Sequence, residues 1–302
     1  MSRLRRALVF GASGQIGQSL LPLLRAHDID VLAISRKPRA EIDAAGVRWH
    51  NIDLDSVAAD SDSIGALLAE CDAVFSLGPL DAFARWQVGT GMTVPRVIAF
   101  GSTSVLTKNA SPDASEREVA HRLQVAEDIL FDYGAHHGVA ITLLRPTLIY
   151  GHGRDGALSR IAEIAKRWRV FALPRNAIGL RQPVHADDLA MAALACAQSE
   201  HAAGRTYALP GGETLSYRDM VARVLATLRP RPRLLLLPNM LFRGAVATAR
   251  RFDLIGGIGQ GMLDRLDADL VFDASAARRD FGYAPRRFEP GAAMFIPPAA
   301  AK

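Results

Sequence analysis

The chain has 302 residues, enough for one large core or for a core domain with a smaller lobe, and its 49% hydrophobic and 22% charged content excludes a disordered or fibrous protein. Net charge is +5, but the arginines are scattered, with short clusters at Arg3, Arg5 and Arg6, at Arg229, Arg231 and Arg233, and at Arg250 and Arg251. No basic stripe is interleaved with aromatics, which argues against nucleic acid and leaves a solvated surface or an anionic small molecule to account for the charge.

Ala7-Leu8-Val9-Phe10 reads as a short buried strand, and Gly11-Ala12-Ser13-Gly14-Gln15-Ile16-Gly17 follows it at once. A helical pattern over 15–26 comes next, with Ile16, Leu20, Leu21 and Leu24 on one face. A strand running through a glycine turn into a helix is the context of a dinucleotide site. The first glycine permits the tight turn, the second lets backbone approach a pyrophosphate, and the third lets the helix pack closely, its N-terminus facing the phosphates. The spacing is GxxGxxG rather than the commoner GxGxxG, so placement carries the argument as much as pattern.

Further strands are expected at Ile29–Ile34, Val47–Trp49, Ala73–Leu77, Val97–Phe100 and Val139–Leu144, with helices at 62–70 and 116–135. The strands are short and almost continuously apolar, as strands covered on both faces should be. Alternation of this kind predicts an α/β fold, a doubly wound parallel sheet with its ligand at the carboxyl ends of the strands. After residue 150 helices are expected near 156–168, 187–199, 216–228 and 239–251, while Tyr207-Ala208-Leu209 reads as a return to the sheet. The expected partition is a dinucleotide-binding domain over 1–150, with 184–209 returning to it, and a smaller, mostly helical substrate-side lobe over 151–183 and 210–302. Within that lobe Leu234–Leu237 and Met240-Leu241-Phe242-Arg243 are read as core contacts in preference to a patch lying on a membrane.

The end of the second strand bears on the cofactor. An NAD-selective site places Asp or Glu there to bond the ribose 2′-hydroxyl. This chain has Ser35-Arg36-Lys37, cations that suit a 2′-phosphate, so NADP is favoured over NAD, the alternative being a surface loop that is merely basic. Two cysteines, Cys71 and Cys196, give neither a disulfide framework nor a metal cluster, and no metal is expected. The apolar run after the basic start is too short for a signal-peptide core, and no stretch reaches the roughly eighteen apolar residues of a spanning helix, so the cytoplasm is the expected location.

The motifs, in order, resemble the short-chain dehydrogenase/reductase superfamily in its extended or atypical form, close to the NAD(P)-dependent nucleoside-diphosphate-sugar epimerase/dehydratase group. The stretches that carry the resemblance are Gly11–Gly17, Asp53-Leu54, Phe100–Val105, Leu144-Arg145-Pro146-Thr147-Leu148-Ile149-Tyr150-Gly151, Val184–Ala190, and a closing signature from Phe272 to Arg286. Together they cover most of the chain. The resemblance implies a Rossmann sheet, with Asp53 and Leu54 beside the adenine and Ser76, Leu77 and Gly78 along the cofactor. Pro146 would lie near the nicotinamide, and Tyr150 at the mouth of the substrate pocket. His185 and Asp188 would begin the helix returning from the lobe, a position an ordinary cap also explains. Ser102, Thr103 and Ser104 match the stretch holding the family's catalytic hydroxyl, Thr103 in the best alignment, although turn chemistry accounts for such a run as well.

One departure stands out. The family's Tyr-x-x-x-Lys belongs on the next helix, the Tyr acting as general acid/base. With Glu127 aligned to the family's helix glutamate, Val119 occupies the Tyr position and Leu123 the Lys position, and no Tyr lies between residues 104 and 132. His121, Lys108 and Tyr150 are the candidate substitutes; His121 titrates in the right range. The resemblance therefore implies an NAD(P)-dependent oxidoreductase, epimerase or dehydratase taking a small-molecule substrate such as a nucleotide-linked sugar or related hydroxyl/keto compound. The rival is a dinucleotide-binding sensor or scaffold that has lost the chemistry. A homodimer is compatible with either.

Overall fold

The computed structural model describes residues 4–36, 46–52, 54, 65, 68, 70–91, 93–251 and 265–295. Lys37, Asp53 and most of the helix expected at 62–70 lie outside the described residues. The first half alternates strand and helix, with α2 a helix not expected from the sequence: β1 (Arg6–Phe10), α1 (Gln15–Ala26), β2 (Asp30–Ser35), β3 (Val47–Asn51), β4 (Ala73–Ser76), α2 (Leu80–Thr90), β5 (Arg96–Phe100), α3 (Ala114–His137) and β6 (Ala140–Pro146). Then follow β7 (Ile149–Tyr150), α4 (Leu158–Trp168), β8 (Val170–Pro174), β9 (Leu180–Arg181), β10 (Val184–His185), α5 (Ala186–Gln198), β11 (Arg205–Leu209) and β12 (Leu215–Ser216). The last elements are α6 (Tyr217–Thr227), β13 (Arg233–Leu237), α7 (Asn239–Arg251) and α8 (Ser275–Phe281).

Seven of the strands form one sheet in the order β11-β6-β5-β4-β1-β2-β3, every neighbouring pair parallel. The order reverses between β1 and β4, and the crevice beyond their carboxyl ends is where such sheets take a ligand. Alternation along β1 shows why the sheet must be covered twice. Ala7 and Val9 join α1 and α5 in one core, through Leu20, Leu21, Leu24, Leu189 and Leu194. Leu8 and Phe10 face the opposite core with Phe83 and Trp86 of α2 and Leu130 of α3. Each large side chain removed from water there contributes about 1.5–3 kcal/mol.

A third apolar cluster gathers α4, β8, α6 and Phe242 into a lobe beside the carboxyl ends of the strands. Two expectations about this half change. Residues 274–283 pack with the sheet rather than with the lobe: Ala274, Ala277 and Tyr283 join the α1–α5 core, and the Tyr207 hydroxyl of β11 donates to Asp280 at 2.8 Å. The leucine run is also only half core. Among the described residues β13 pairs only with β8; Leu234 and Leu237 pack against the lobe core, while Leu235 and Leu236 are exposed. In α7 Phe242 is buried at 8% exposure, whereas Met240 and Leu241 are 87% and 63% exposed. Among the described residues no helix is long and apolar enough to cross a membrane.

Candidate functional site

β1 delivers Gly11 at φ 69°, a left-handed conformation that a side chain resists, and a Cβ there would stand 2.7 Å from the Gly78 nitrogen. The two turns leaving β1 and β4 therefore touch backbone to backbone. Gly14 donates its N–H to the Gly11 carbonyl at 2.8 Å and caps α1, and a Cβ on it would be 3.0 Å from that carbonyl. Gly17 lies so close to the turn that a Cβ would be 2.1 Å from the Ala12 oxygen. The first turn of α1 has no acidic residue and no side-chain cap, which leaves its N–H groups for an anion.

A cavity of about 810 Å³ opens from this turn, and Gly11, Ser13, Gly14, Ser35, Arg36, Leu54, Leu77 and Gly78 all line it. Ser13 and Ser35 join their hydroxyls at 2.6 Å, closing the glycine turn onto the end of β2, where Arg36 is exposed. Ile52, Leu54, Leu77 and Ala82 give it an apolar wall fit for a flat base, while Arg36 and Arg154 are its cations. Five residues expected along the cofactor do not line this cavity, and of these Ser76 is fully buried in β4. Gln15 turns away to donate to the Gly151 carbonyl at 2.9 Å, and Ile16 and Gly17 are buried beneath the turn. Pro146 is buried in β6, outside the walls of this cavity and of the next.

The second cavity, about 230 Å³, lies between the end of β5 and the lobe, and its wall includes Ser102, Thr103, Ser104, Lys108, Arg181, Tyr217 and Arg265. The Ser102 hydroxyl donates to Ser104 Oγ at 3.0 Å and accepts from the Ser104 N–H at 3.1 Å. Thr103 differs from its neighbours: its buried hydroxyl donates to the Pro146 carbonyl at 3.1 Å, and its N–H bonds the same oxygen. That hydroxyl fastens β5 to β6, so the alignment that prefers Thr103 meets a group already committed. Lys108, one of the candidate substitutes, sits in the wall, 3.5 Å from Glu116. Arg265 grips Glu116 with both guanidinium nitrogens and Ser111 donates to it at 2.7 Å, and the Arg265 contact above all holds the Glu116 carboxyl down to about 2. Arg181 gives its N–H groups to the carbonyls of Leu180, Ala268 and Arg265 and stacks 5.3 Å above the Tyr217 ring. Burial lowers the Arg181 pKa and pushes the Tyr217 phenol up to about 12. Lys108, Arg181 and Arg265 against Glu116 and Asp269 leave this region positive by one charge.

The remaining candidates fall away from both cavities. His121 is exposed on α3 and lines neither. Leu123 packs against the α2–α3 core, and Val119 is half-buried. Tyr150 is packed in the lobe core with edge contacts to His185 and Phe288, and burial raises its phenol to about 12, so it is not at the pocket mouth. His185 accepts from the Asp187 N–H at 3.1 Å, and Asp188 accepts from Arg286 Nε at 2.8 Å and from its N–H at 3.0 Å, so cap and anchor describe them. Sequence reasoning missed Arg154, Arg181, Tyr217 and Arg265, which reach the cavities from segments remote in the chain.

The chain belongs to the NAD-dependent epimerase/dehydratase family, whose model matches residues 7–94 and 86–209. A similar curated protein is the 2-alkyl-3-oxoalkanoate reductase of Stenotrophomonas maltophilia (strain K279a), 27% identical, with 93% of this chain and 95% of the relative aligned. Among solved structures, the UDP-glucose 4-epimerase of Thermotoga maritima, with UDP-glucose, superposes with a TM-score of 0.68 at 14% identity over 93% of this chain and 94% of that one. The epimerase Mth375 of Methanothermobacter thermautotrophicus gives 0.72 at 14% identity over 96% and 90%. The protein is thus an NAD(P)-dependent oxidoreductase/epimerase/dehydratase-like member of that family.

Proposed function

We propose that this protein is an NADP-dependent reductase or epimerase acting at the hydroxyl or keto carbon of a compact anionic substrate. The observation that carries the reading is the second cavity, where the Ser102 hydroxyl shares a wall with Lys108, Arg181 and Arg265 at the carboxyl end of the sheet. A volume near 230 Å³ is below the roughly 300–1,000 Å³ of sites for larger ligands, which favours an oxo or hydroxy acid over an entire nucleotide sugar. The name of the Stenotrophomonas maltophilia relative points the same way, and UDP-glucose in the Thermotoga maritima structure supports the nucleotide-sugar alternative. Arg36 at the end of β2, in a cavity with no carboxylate along its described wall, supports NADP over NAD.

The cofactor supplies hydride exchange at its nicotinamide. Ser102 gives its proton to the reacting oxygen of the substrate, which requires only that the hydroxyl turn from Ser104. Thr103 positions that segment through Pro146. The positive wall holds the anionic group and orients the carbonyl. With Val119 and Leu123 apolar, proton supply comes from outside α3, and Lys108 and Tyr217 share the cavity wall with Ser102. The test is to titrate NADP(H) and NAD(H), then follow nicotinamide absorbance with 3-oxo acids and with nucleotide sugars. Turnover of the acids supports the proposal, and turnover of nucleotide sugars alone refutes the compact substrate. Tight cofactor binding without turnover on either panel transfers the assignment to a sensor, the reading that the lost Tyr and Lys favour.

A further inference from the structure

The loop leaving β7 carries a cation that the β2 end and the glycine turn do not account for. Gly151-His152-Gly153-Arg154 runs from the lobe across the first turns of α1 and is fastened there three times. Gln15 donates to the Gly151 carbonyl at 2.9 Å, Ser19 Oγ and His152 Nε2 are 2.8 Å apart, and Arg154 Nη1 donates to the Ser13 carbonyl at 2.9 Å. The path is tight: Gly151, His152 and Gly153 have φ of 111°, 52° and 62°. The neighbouring Asp155 is turned away, accepting from Ser159 N at 2.8 Å and Ser159 Oγ at 2.6 Å at the start of α4.

Arg154 lines the dinucleotide cavity, yet its Nε and Nη2 are buried with no hydrogen-bond partner. A guanidinium offers five N–H donors, and leaving charged donors buried and unpaired is costly. Among the described residues no carboxylate pairs with it. An anionic acceptor suits a guanidinium best, and the glycine turn and the α1 N-terminus beside it already favour negative charge. We propose that Arg154 is a ligand of the cofactor's diphosphate, delivered from the substrate lobe. It is distinct from Arg36, which stands at the end of β2 where the 2′-phosphate would lie. The planar fork suits two phosphate oxygens while Nη1 stays on Ser13. The inference rests on the dinucleotide reading and adds a consequence to it, namely that the cofactor is held by both halves of the molecule at once.

The test is to titrate NADP(H) and NAD(H), and ADP and AMP as competitors, into the wild type, Arg154→Ala, Arg154→Met and Arg36→Ala, with thermal melts of the unliganded proteins. Arg154→Ala and Arg154→Met should weaken NADP(H), NAD(H) and ADP alike by tenfold or more, while AMP changes much less. Arg36→Ala should weaken NADP(H) alone. The melts should move little, and the Met variant preserves the packing of the stem where the Ala variant loses it. Binding by both Arg154 variants within twofold of wild type overturns the inference, and so does a loss confined to NADP(H), which would put Arg154 on the 2′-phosphate. A wild type that binds no dinucleotide overturns the underlying reading instead, so the two failures are separable.

Discussion

Among the three hydroxyls after β5, only geometry separates a group free to meet substrate from a group holding strands together. Ser102→Ala should lower kcat by about 10²-fold or more while the thermal midpoint stays put. Thr103→Ala should do the reverse, costing about 0.5–1.5 kcal/mol of stability because the Pro146 carbonyl keeps the Thr103 N–H but loses its hydroxyl partner. His121→Ala should leave kcat and the pH–rate profile unchanged, since the ring is exposed and remote from both cavities. Steady-state kinetics beside thermal melts distinguish the three. Glu116 gives a pH test of the positive wall. Its carboxyl is held near 2 in the folded protein against an ordinary 4.5, so its stabilising pairing is fully present above about 4.5 and is lost as pH falls from there towards 2. Melting midpoints taken across that window should fall more steeply in the wild type than in Glu116→Gln. Gly11, Gly14, Ser35 and Arg36 were legible in the sequence because a turn and the strand beside it dictate their placement. Arg154, Arg181, Tyr217 and Arg265 were not, because tertiary packing brings them from distant segments and no local spacing records it.

Legibility at the level of the element followed the clarity of each apolar pattern. α1 shows one clean stripe, and its expected bounds are those observed. α2 has no such stripe: Leu80, Ala82, Phe83, Ala84, Trp86 and Gln87 are all buried, so burial wraps much of the helix and its period is blurred. The leucines of β13 show the opposite failure. A continuous apolar run suggests burial on both faces, but nothing among the described residues covers Leu235 and Leu236. Phe242→Ala should therefore cost about 3–5 kcal/mol, whereas Met240→Lys and Leu241→Lys should each change stability by no more than about 0.5 kcal/mol. Chemical denaturation of the three variants measures the contrast, and equal losses would mean that the outer side of α7 is covered.

Taken whole, the molecule is two cores flanking a sheet, with a third in the lobe, and the boundary between sheet and lobe does not follow the order of the chain. β11 returns to pair with β6, α5 packs beside α1, and α8 comes back from the far end to sit against β11. That last return was invisible in the sequence, because a short helix rich in small and charged residues carries no stripe to declare which face it will join. Arg286→Ala should destabilise the protein by about 1–3 kcal/mol, leaving the buried Asp188 carboxylate without its main donor. Urea denaturation measures it, and a loss below about 0.5 kcal/mol would mean that water replaces the guanidinium.

The Asp188–Arg286 pair also sets an order of events during synthesis. The glycine turn leaves the ribosome well before α5, the helix that braces α1, and Asp188 in the first turn of that helix finds its partner 98 residues later. A nascent chain ending between the two has a finished phosphate cradle resting on an unfinished brace. The cofactor site should therefore become protease-resistant only after Arg286 has emerged, although the residues that line its cavity all precede α5 in the chain.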